Sequence, residues 1–317
     1  MAYTYTMNPQ FVGRRLVIAH NPHSSRAGRV QAAVFDRLDK AGYRYTRLEI
    51  QRGSLQENVA YLVPLIQPGD VILSAAGDGS AHALAHAVLE ANQVDISLGF
   101  LGFGNFNDLA HTFGTRASLR DPLELLKDAK EVQLRPLDVI ANGRLQRKAF
   151  LYATFGWTAQ AASRYDNPGI RHRLQSGEVG IIRNMWRMTG YYFRSRASSL
   201  LPTSFDESAE RQPLITDLLC VNGPSVARLF RSGKKWYSAS EFLLVRLDVR
   251  RLLPNTFFLL LSLCGRMPGV KTTVMKRTFE EPAHIPMQCD GEVVELIAVE
   301  SLEVRKSSRS LTVLSMK

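Results

Sequence analysis

Between residues 15 and 135 short apolar runs alternate with segments of helical period, and this order constrains the fold more than any other feature of the chain. "RRLVIAHNP" reads as a strand and loop, and "VQAAVFDRLDKAG" as an amphipathic helix ended by Gly42. "YRYTRLEI" reads as a strand and "LQENVAYLVPLIQ" as a helix, and "DVILSAAGDG" and "DISLGFLGFGNFNDLAHTFG" continue the alternation. Strand–helix–strand order of this kind predicts a doubly wound α/β sheet with ligands at the carboxyl ends of its strands. Two glycine-containing turns, after Leu73 and after Leu101, fall at those ends.

The first of these turns lies within "VILSAAGDGSAHALAHAVLEAN". Val71, Ile72 and Leu73 read as a buried strand, and Leu84, Ala87 and Val88 recur at helical spacing. A strand that enters a helix through Gly-Asp-Gly-Ser presents backbone N–H groups at a helix N-terminus, a geometry suited to a phosphate. The alternative is a plain strand-to-helix turn with Asp78 or Ser80 as N-cap. His82 and His86 stand four apart on the same helix, but Ala83 occupies the place of a zincin glutamate and no third ligand is near, which favours surface or core histidines.

Beyond "LRPLDVIANGRLQRKAFLYATFG" the texture changes. Asn142-Gly143 between two apolar segments is a hairpin signal, and "DLLCVNG", "SASEFLLVRLD", "VKTTVMKRTFE" and "SLEVRKSSRSLTVL" are strand-like. One helix-like segment, about residues 177–194, interrupts them, followed by a polar loop over 195–213. The partition is residues 1–135 and a mostly β domain over 136–317, with the option that the last strand returns to the first domain. Trp157, Trp186 and Trp236 read as core or interface residues.

A length of 317 residues agrees with two domains. Cys220, Cys264 and Cys289 are far apart, which argues against a disulfide framework or a cysteine zinc site and fits a reducing, cytoplasmic setting. The first ten residues lack the apolar core of a signal peptide. The most apolar run, "TFFLLLSLCG", is about half the length that spans a bilayer. The expectation is a soluble protein, with the option of a peripheral seat on a membrane. The net charge of +11 favours an anionic partner: nucleic acid, nucleotide phosphates or an acidic membrane face. Basic and aromatic residues concentrate in "RHRLQSGEVGIIRNMWRMTGYYFRSR", residues 171–196, which is either a solvated helix face or the membrane contact. No zinc-finger, RRM or KH signature accompanies the charge, so nucleic acid is not expected. Nothing in the sequence sets the oligomeric state, and a homodimer is compatible with it.

Four stretches in order resemble the lipid-kinase family that includes bacterial diacylglycerol kinases and sphingosine kinases. "NPHSSRAGR" resembles the family's N-P-x-S-G loop, "AAGDGS" its G-G-D-G-T, "GFGNFNDLA" its P-x-G-T-x-N-D-F-A, and "MQCDGEVVE" its C-terminal D-G-E. Between them "RPLDVIANGRLQRKAFLYATFGWTAQ" resembles the family's D…N-G-x-x-F strand pair. The resemblance covers nearly the whole chain. It implies an N-terminal Rossmann-like α/β nucleotide-binding domain, a C-terminal antiparallel β-sandwich domain, and catalysis in the cleft between them. The related NAD kinases share G-G-D-G but generally lack the opening N-P-x-S-G and the terminal D-G-E.

The resemblance further implies ATP as phosphate donor, Mg2+ as cofactor and a lipid hydroxyl, diacylglycerol-like or sphingoid, as acceptor at an anionic membrane surface. Asn21, Pro22, Ser24, Ser25, Gly77, Asp78, Gly79, Ser80, Gly104, Asn105 and Asn107 would form the nucleotide cradle. Asp78, Asp108 and Asp138 would connect to magnesium through water, which suits an ion that prefers to keep its waters. Asp290 would be the general base, with Glu292 as its neighbour or the alternative. In an extended segment these two would project to one face; the plain alternative is a hairpin turn with two exposed acids.

The chain departs from the family pattern at the nucleotide side. Ala76 replaces the first glycine of G-G-D-G-T, Ser80 its threonine and Ala83 a following glutamate; Gly102 and Asn105 replace Pro and Thr of the third motif. On a loose alignment Gln51 takes the place of a threonine, and Ser240 takes that of an aspartate in a metal-binding turn, leaving Glu241 as the adjacent acid. Gly77, Asp78, Gly79, Asn107, Asp108, Asp138, Asp290 and Glu292 all stand. The expectation is an active lipid kinase with a modified nucleotide pocket; the alternatives are an inactive nucleotide- or lipid-binding relative and an NAD kinase-like enzyme.

Overall fold

The computed structural model describes residues 8–23, 27–104, 107–165, 201, 204–205, 208, 210, 217–226, 230–247 and 252–317. The basic segment 171–196, with Trp186 and the helix expected near 177–194, lies outside the described residues. The chain divides into two compact units, Met1–Leu134 with Arg309–Lys317, and Arg135–Ser308.

In the first unit β1 (Leu16–His20), β2 (Thr46–Glu49), β3 (Val71–Ala76), β4 (Ser97–Gly102), β5 (Lys130–Leu134) and the last strand of the chain, β17 (Leu311–Ser315), form one sheet in the order β2-β1-β3-β4-β17-β5. All neighbours are parallel except β17 and β5. β1, β3 and β4 are buried at every position, which is why their sequences are continuous apolar runs rather than alternating ones. The helices are α1 (Ala27–Val30) and α2 (Asp36–Lys40), joined through a π-helical turn, then α3 (Leu55–Leu62), α4 (Asp78–Ala91), α5 (Asp108–Phe113) and α6 (Pro122–Asp128). Val34, Phe35 and Leu38 pack on Ile18, Leu73 and Leu101 of the sheet, each burial worth about 1.5–3 kcal/mol.

Local chemistry sets the helix ends. Ser54 and Glu57 close a capping box on α3. Asp121 accepts from the N–H groups of Leu123 and Glu124, and Pro122 takes the first position of α6. α4 starts at Asp78 with Gly77 as its N-cap, so neither Asp78 nor Ser80 takes that position.

The second unit contains β6 (Leu137–Ala141), β7 (Arg144–Ala149), β8 (Tyr152–Gly156), α7 (Trp157–Tyr165), β9 (Ser204–Phe205), β10 (Asp217–Val221), β11 (Ser225–Val226), β12 (Phe230–Arg231), β13 (Phe242–Leu247), α8 (Leu252–Leu263), β14 (Val270–Thr272), β15 (Val274–Cys289) and β16 (Glu292–Lys306). An antiparallel sheet runs β14-β13-β10-β8-β15-β16-β6-β7, with β9 on β15, and β11 pairs with β12. Leu137, Val139, Phe155, Leu218, Phe242, Ile285 and Val304 belong to its core. Asn142 and Gly143 turn the β6–β7 hairpin with φ of +50° and +72°, the geometry that Asn-Gly favours. The Asn142 side chain also accepts from the N–H groups of Glu300 and Ser301 and donates to the Ala298 carbonyl. It thereby braces the irregular stretch of β16 where Ala298 sits at φ +53°.

Candidate active site

The turns after β3 and β4 are built against each other. A Cβ on Gly104 would fall 2.8 Å from Gly77 Cα, 2.9 Å from Asp78 Oδ2 and 3.0 Å from Asn107 Oδ1. Only glycine lets the two backbones approach this closely. Asp78 then bridges the turns: its Oδ2 accepts from the Asn107 N–H at 2.8 Å and its Oδ1 from the Asp108 N–H at 3.0 Å. A carboxylate at the start of α4 thus caps the start of α5. Asn107, at φ +54°, folds its side chain back, accepting from the Gly104 N–H at 2.5 Å and donating to the Gly104 carbonyl at 2.9 Å. In α4 the first intrahelical bond runs from the Ala81 N–H to the Gly77 carbonyl, so the N–H groups of Asp78, Gly79 and Ser80 precede it. Gly77 has no side chain to cap them, which leaves a helix end of the kind that receives anions.

In the second unit Asp290-Gly291 forms the two-residue turn between β15 and β16, with φ of +50° and +98°. The segment is therefore a tight hairpin turn rather than extended chain, and its acids are not equally exposed. Asp290 is buried at 3% exposure. Its Oδ2 accepts from the Phe150 N–H at 2.5 Å, and its Oδ1 from the N–H groups of Leu151 and Tyr152, both at 2.8 Å. Its own N–H donates to the Tyr152 carbonyl at 3.1 Å. Three of about four lone-pair positions of the carboxylate therefore hold the β7–β8 turn. Glu292 opens β16, pairs with Arg147 of β7 at 3.1 Å, and keeps 32% of its side chain exposed.

Residues 15–141 match the family model of the diacylglycerol kinase catalytic domain. This stretch is similar to that domain. Two solved structures from Bacillus anthracis str. Sterne share the fold of the whole chain. A diacylglycerol kinase has a TM-score of 0.68 at 12% identity, covering 95% of this chain and 97% of that one. A provisionally assigned diacylglycerol kinase has a TM-score of 0.65, also at 12% identity and with the same coverage. At that identity the likeness is one of fold, and it is the two-domain fold expected from the motifs. No curated protein is matched by the sequence.

The matched stretch contains Asp78 and Asp108, which stand side by side; Asp108 is itself buried. Asp138, on β6, belongs to the other unit and is ion-paired with Lys148 of β7, which also donates to Ser307 at 3.1 Å. Among the described residues no group of three or more His, Cys, Asp and Glu side chains is disposed to hold a metal ion. Magnesium does not require one, since one or two carboxylates with waters and phosphate oxygens suffice. The hard oxygens of Asp78 and Asp108 fit that requirement. Asn21 ends β1 in a turn, its Oδ1 accepting from the His23 N–H at 2.9 Å across Pro22, while Ser24, Ser25 and Asn105 lie outside the described residues. Ala76 and Ala83, the departures beside Gly-Asp-Gly, are buried in β3 and α4, and His82 is buried on α4.

Sequence reasoning missed the partners. Arg147 and Lys148, adjacent on β7, hold Glu292 and Asp138, and only the strand order could have shown this. It also missed Asp217, buried at the start of β10, which accepts from the Thr158 N–H at 2.6 Å at the start of α7; burial pushes its carboxyl up to about 6. Lys306 near the end of β16 donates to Asn222 Oδ1 and to the Trp236 carbonyl at 2.8 Å; burial and the nearby Arg135 push its ammonium down to about 7.

Proposed function

We propose that the protein transfers the γ-phosphoryl group of ATP to a lipid hydroxyl, diacylglycerol-like or sphingoid, at an anionic membrane surface. The observation that carries this is the paired Gly77 and Gly104 turns, bridged by Asp78, at the carboxyl ends of adjacent strands within the stretch that matches the diacylglycerol kinase catalytic domain. Phosphoryl transfer asks the protein mainly for positioning and charge stabilisation. The N–H groups at the start of α4 receive phosphate oxygens, with Ser80 offering a hydroxyl in the same turn. Asp78 and Asp108 would hold magnesium, which when bound spreads the charge developing on the transferred group. The bonds from the Asn107 and Asp108 N–H groups fix the Asp78 carboxylate before any ligand arrives.

Proton removal from the attacking hydroxyl needs a carboxylate with an accessible lone pair. Asp290 and Glu292 are the two candidates of the hairpin, and their different surroundings favour different roles. Asp290 holds the β7–β8 turn, and Glu292, partly exposed and oriented by Arg147, takes the proton. The experiment is transfer from labelled ATP to mixed micelles carrying diacylglycerol or sphingosine, with and without magnesium. Glu292→Gln is expected to lower transfer by about 10²–10⁴-fold. ATP binding without transfer to either lipid would favour an inactive relative or another acceptor, and transfer to a soluble dinucleotide would favour the NAD kinase-like alternative. Absence of ATP binding would end the kinase reading.

A further inference from the structure

Helix α8 turns Phe257, Leu260 and Leu263 outward. Phe257 is 61% exposed and Leu260 57%, and Leu263 and Cys264 are exposed beyond them, while Phe258 and Ser262 are buried on the opposite side. Positions 257, 260 and 264 are three and four apart, so they share one helix face. Val270, on β14 just after the helix, is a further exposed apolar side chain, at 69%. An exposed face of this kind rimmed by polar groups marks an interaction surface.

The rim is basic. α8 ends at Gly265, at φ +80°, in a Schellman turn, with the Gly265 N–H on the Ser262 carbonyl at 3.1 Å and the Arg266 N–H on the Leu261 carbonyl at 2.8 Å. A Cβ on Gly233 would fall 2.3 Å from the Gly265 oxygen, and the Met267 N–H donates to the Arg231 carbonyl at 3.1 Å, so the turn after β12 lies against this helix end. Exposed Arg231, Lys234 and Lys235 of that turn therefore stand beside exposed Arg266 and Lys271. The ammonium groups of Lys234 and Lys271 are 5.9 Å and 5.8 Å from the centre of the Trp236 ring. No acidic residue occurs between Leu218 and Ser240 or between Val249 and Phe279.

We propose that α8 and its basic rim dock the protein on an anionic lipid bilayer, with Phe257, Leu260 and Leu263 entering the acyl boundary and the Lys and Arg side chains meeting acidic headgroups. Among the described residues no helix is long and apolar enough to cross a membrane, so α8 lies on the surface. A second copy seated symmetrically on this face would bring the same cations together, which disfavours it. The choice of a bilayer over an acidic protein rests on the lipid-kinase reading; the exposed face and its charge do not.

Cys264 is exposed while Cys220 and Cys289 are buried, so an environment-sensitive thiol dye on Cys264 reports from the docking face itself. With phosphatidylcholine vesicles containing phosphatidylglycerol the dye is expected to shift to the blue, and partition should be at least about tenfold stronger than on phosphatidylcholine alone. Leu260→Asp should weaken partition by about tenfold or more, and Lys271→Glu and Arg266→Glu by about fivefold each. These side chains are exposed, and unchanged urea midpoints would confirm intact folds. A dye that stays in water with anionic vesicles, partition indifferent to all three substitutions, or a shift that follows protein concentration without vesicles would each overturn the proposal. Transfer to a short-chain, water-soluble diacylglycerol without vesicles separates the two readings. Leu260→Asp should match wild type there, and no transfer by either would sink the kinase reading while leaving the vesicle result to judge the docking face.

Discussion

Asp78, Asp290 and Asp217 answer one problem in three ways. Each carboxylate lies at a turn or strand end and accepts backbone N–H groups from a neighbouring segment: two at Asp78, three at Asp290, one at Asp217. Asp78 is only half-buried, so two donors and solvent share its charge. Asp290 and Asp217 are both buried, but backbone dipoles meet the charge of Asp290 from three sides, whereas among the described residues Asp217 has the N–H and hydroxyl of Thr158. A motif acid is thus an architectural group before it is a chemical one, and the number of donors it gathers measures how much structure depends on it.

The largest effect is expected at Asp290. Asp290→Ala would leave three buried N–H groups without their acceptor, at about 1–3 kcal/mol each, so a loss of at least about 3 kcal/mol should follow. Asp290→Asn retains one oxygen but turns an amide N–H toward a backbone N–H, and about 1–3 kcal/mol should be lost. Trp157 and Trp236 lie in the second unit, so urea unfolding followed by tryptophan fluorescence reads this directly. A midpoint unmoved by Asp290→Ala would remove the distinction between Asp290 and Asp78.

Asp217 should behave oppositely. Its folded carboxyl is raised by burial to about 6, so between pH ~4 and ~6 the unfolded chain holds fewer protons than the folded one. The stability contributed by the protonated form is present below that window and lost as pH rises through it, at a cost near neutrality of roughly 3 kcal/mol. Asp217→Asn keeps an acceptor for the Thr158 N–H without the charge. The variant is expected to gain about 1–3 kcal/mol at pH 7 and to lose this fall between pH ~4 and ~6. The same fluorescence midpoints, taken along pH, check it, and an unchanged profile would show that Thr158 alone satisfies the charge.

Gly104→Ala tests the other unit. Its methyl would meet the Gly77 backbone at 2.8 Å, which no side-chain rotation relieves. A cost of about 1–3 kcal/mol is expected, together with weaker ATP binding because the two turns must part. Far-UV circular dichroism and calorimetric titration separate the two effects. Normal ATP affinity in a destabilised variant would mean that the turn pair is scaffold alone.

These positions also show what the sequence could and could not reveal. Continuous apolar runs identified β1, β3 and β4, because strands buried on both faces need no alternation. Asn142-Gly143 marked a hairpin because few residues tolerate two successive positive φ values. β15 was legible only in its first part, since Pro282 and Pro286 fall in its later part beside a change of register, where propensity argues against a strand. Asp-Gly could be read as a turn, but not the burial of Asp290, which comes from Phe150, Leu151 and Tyr152, about 140 residues away in sequence. Arg147 and Lys148 look like any basic pair on a solvated strand until Glu292 and Asp138 are placed against them.

The smallest change in stability is expected where the largest change in chemistry is. Glu292 and Arg147 form a partly exposed ion pair, and such pairs contribute at most about 1 kcal/mol. Glu292→Gln keeps the side-chain shape and a hydrogen-bond acceptor for Arg147, so its urea midpoint should stay within about 1 kcal/mol of wild type even as phosphate transfer falls. Asp290→Asn should lose both together, because the proton acceptor then rests on a loosened turn. If Asp290→Asn instead lost transfer at full stability while Glu292→Gln stayed active, the proton would belong to Asp290, and three backbone donors would not have withdrawn it from the chemistry.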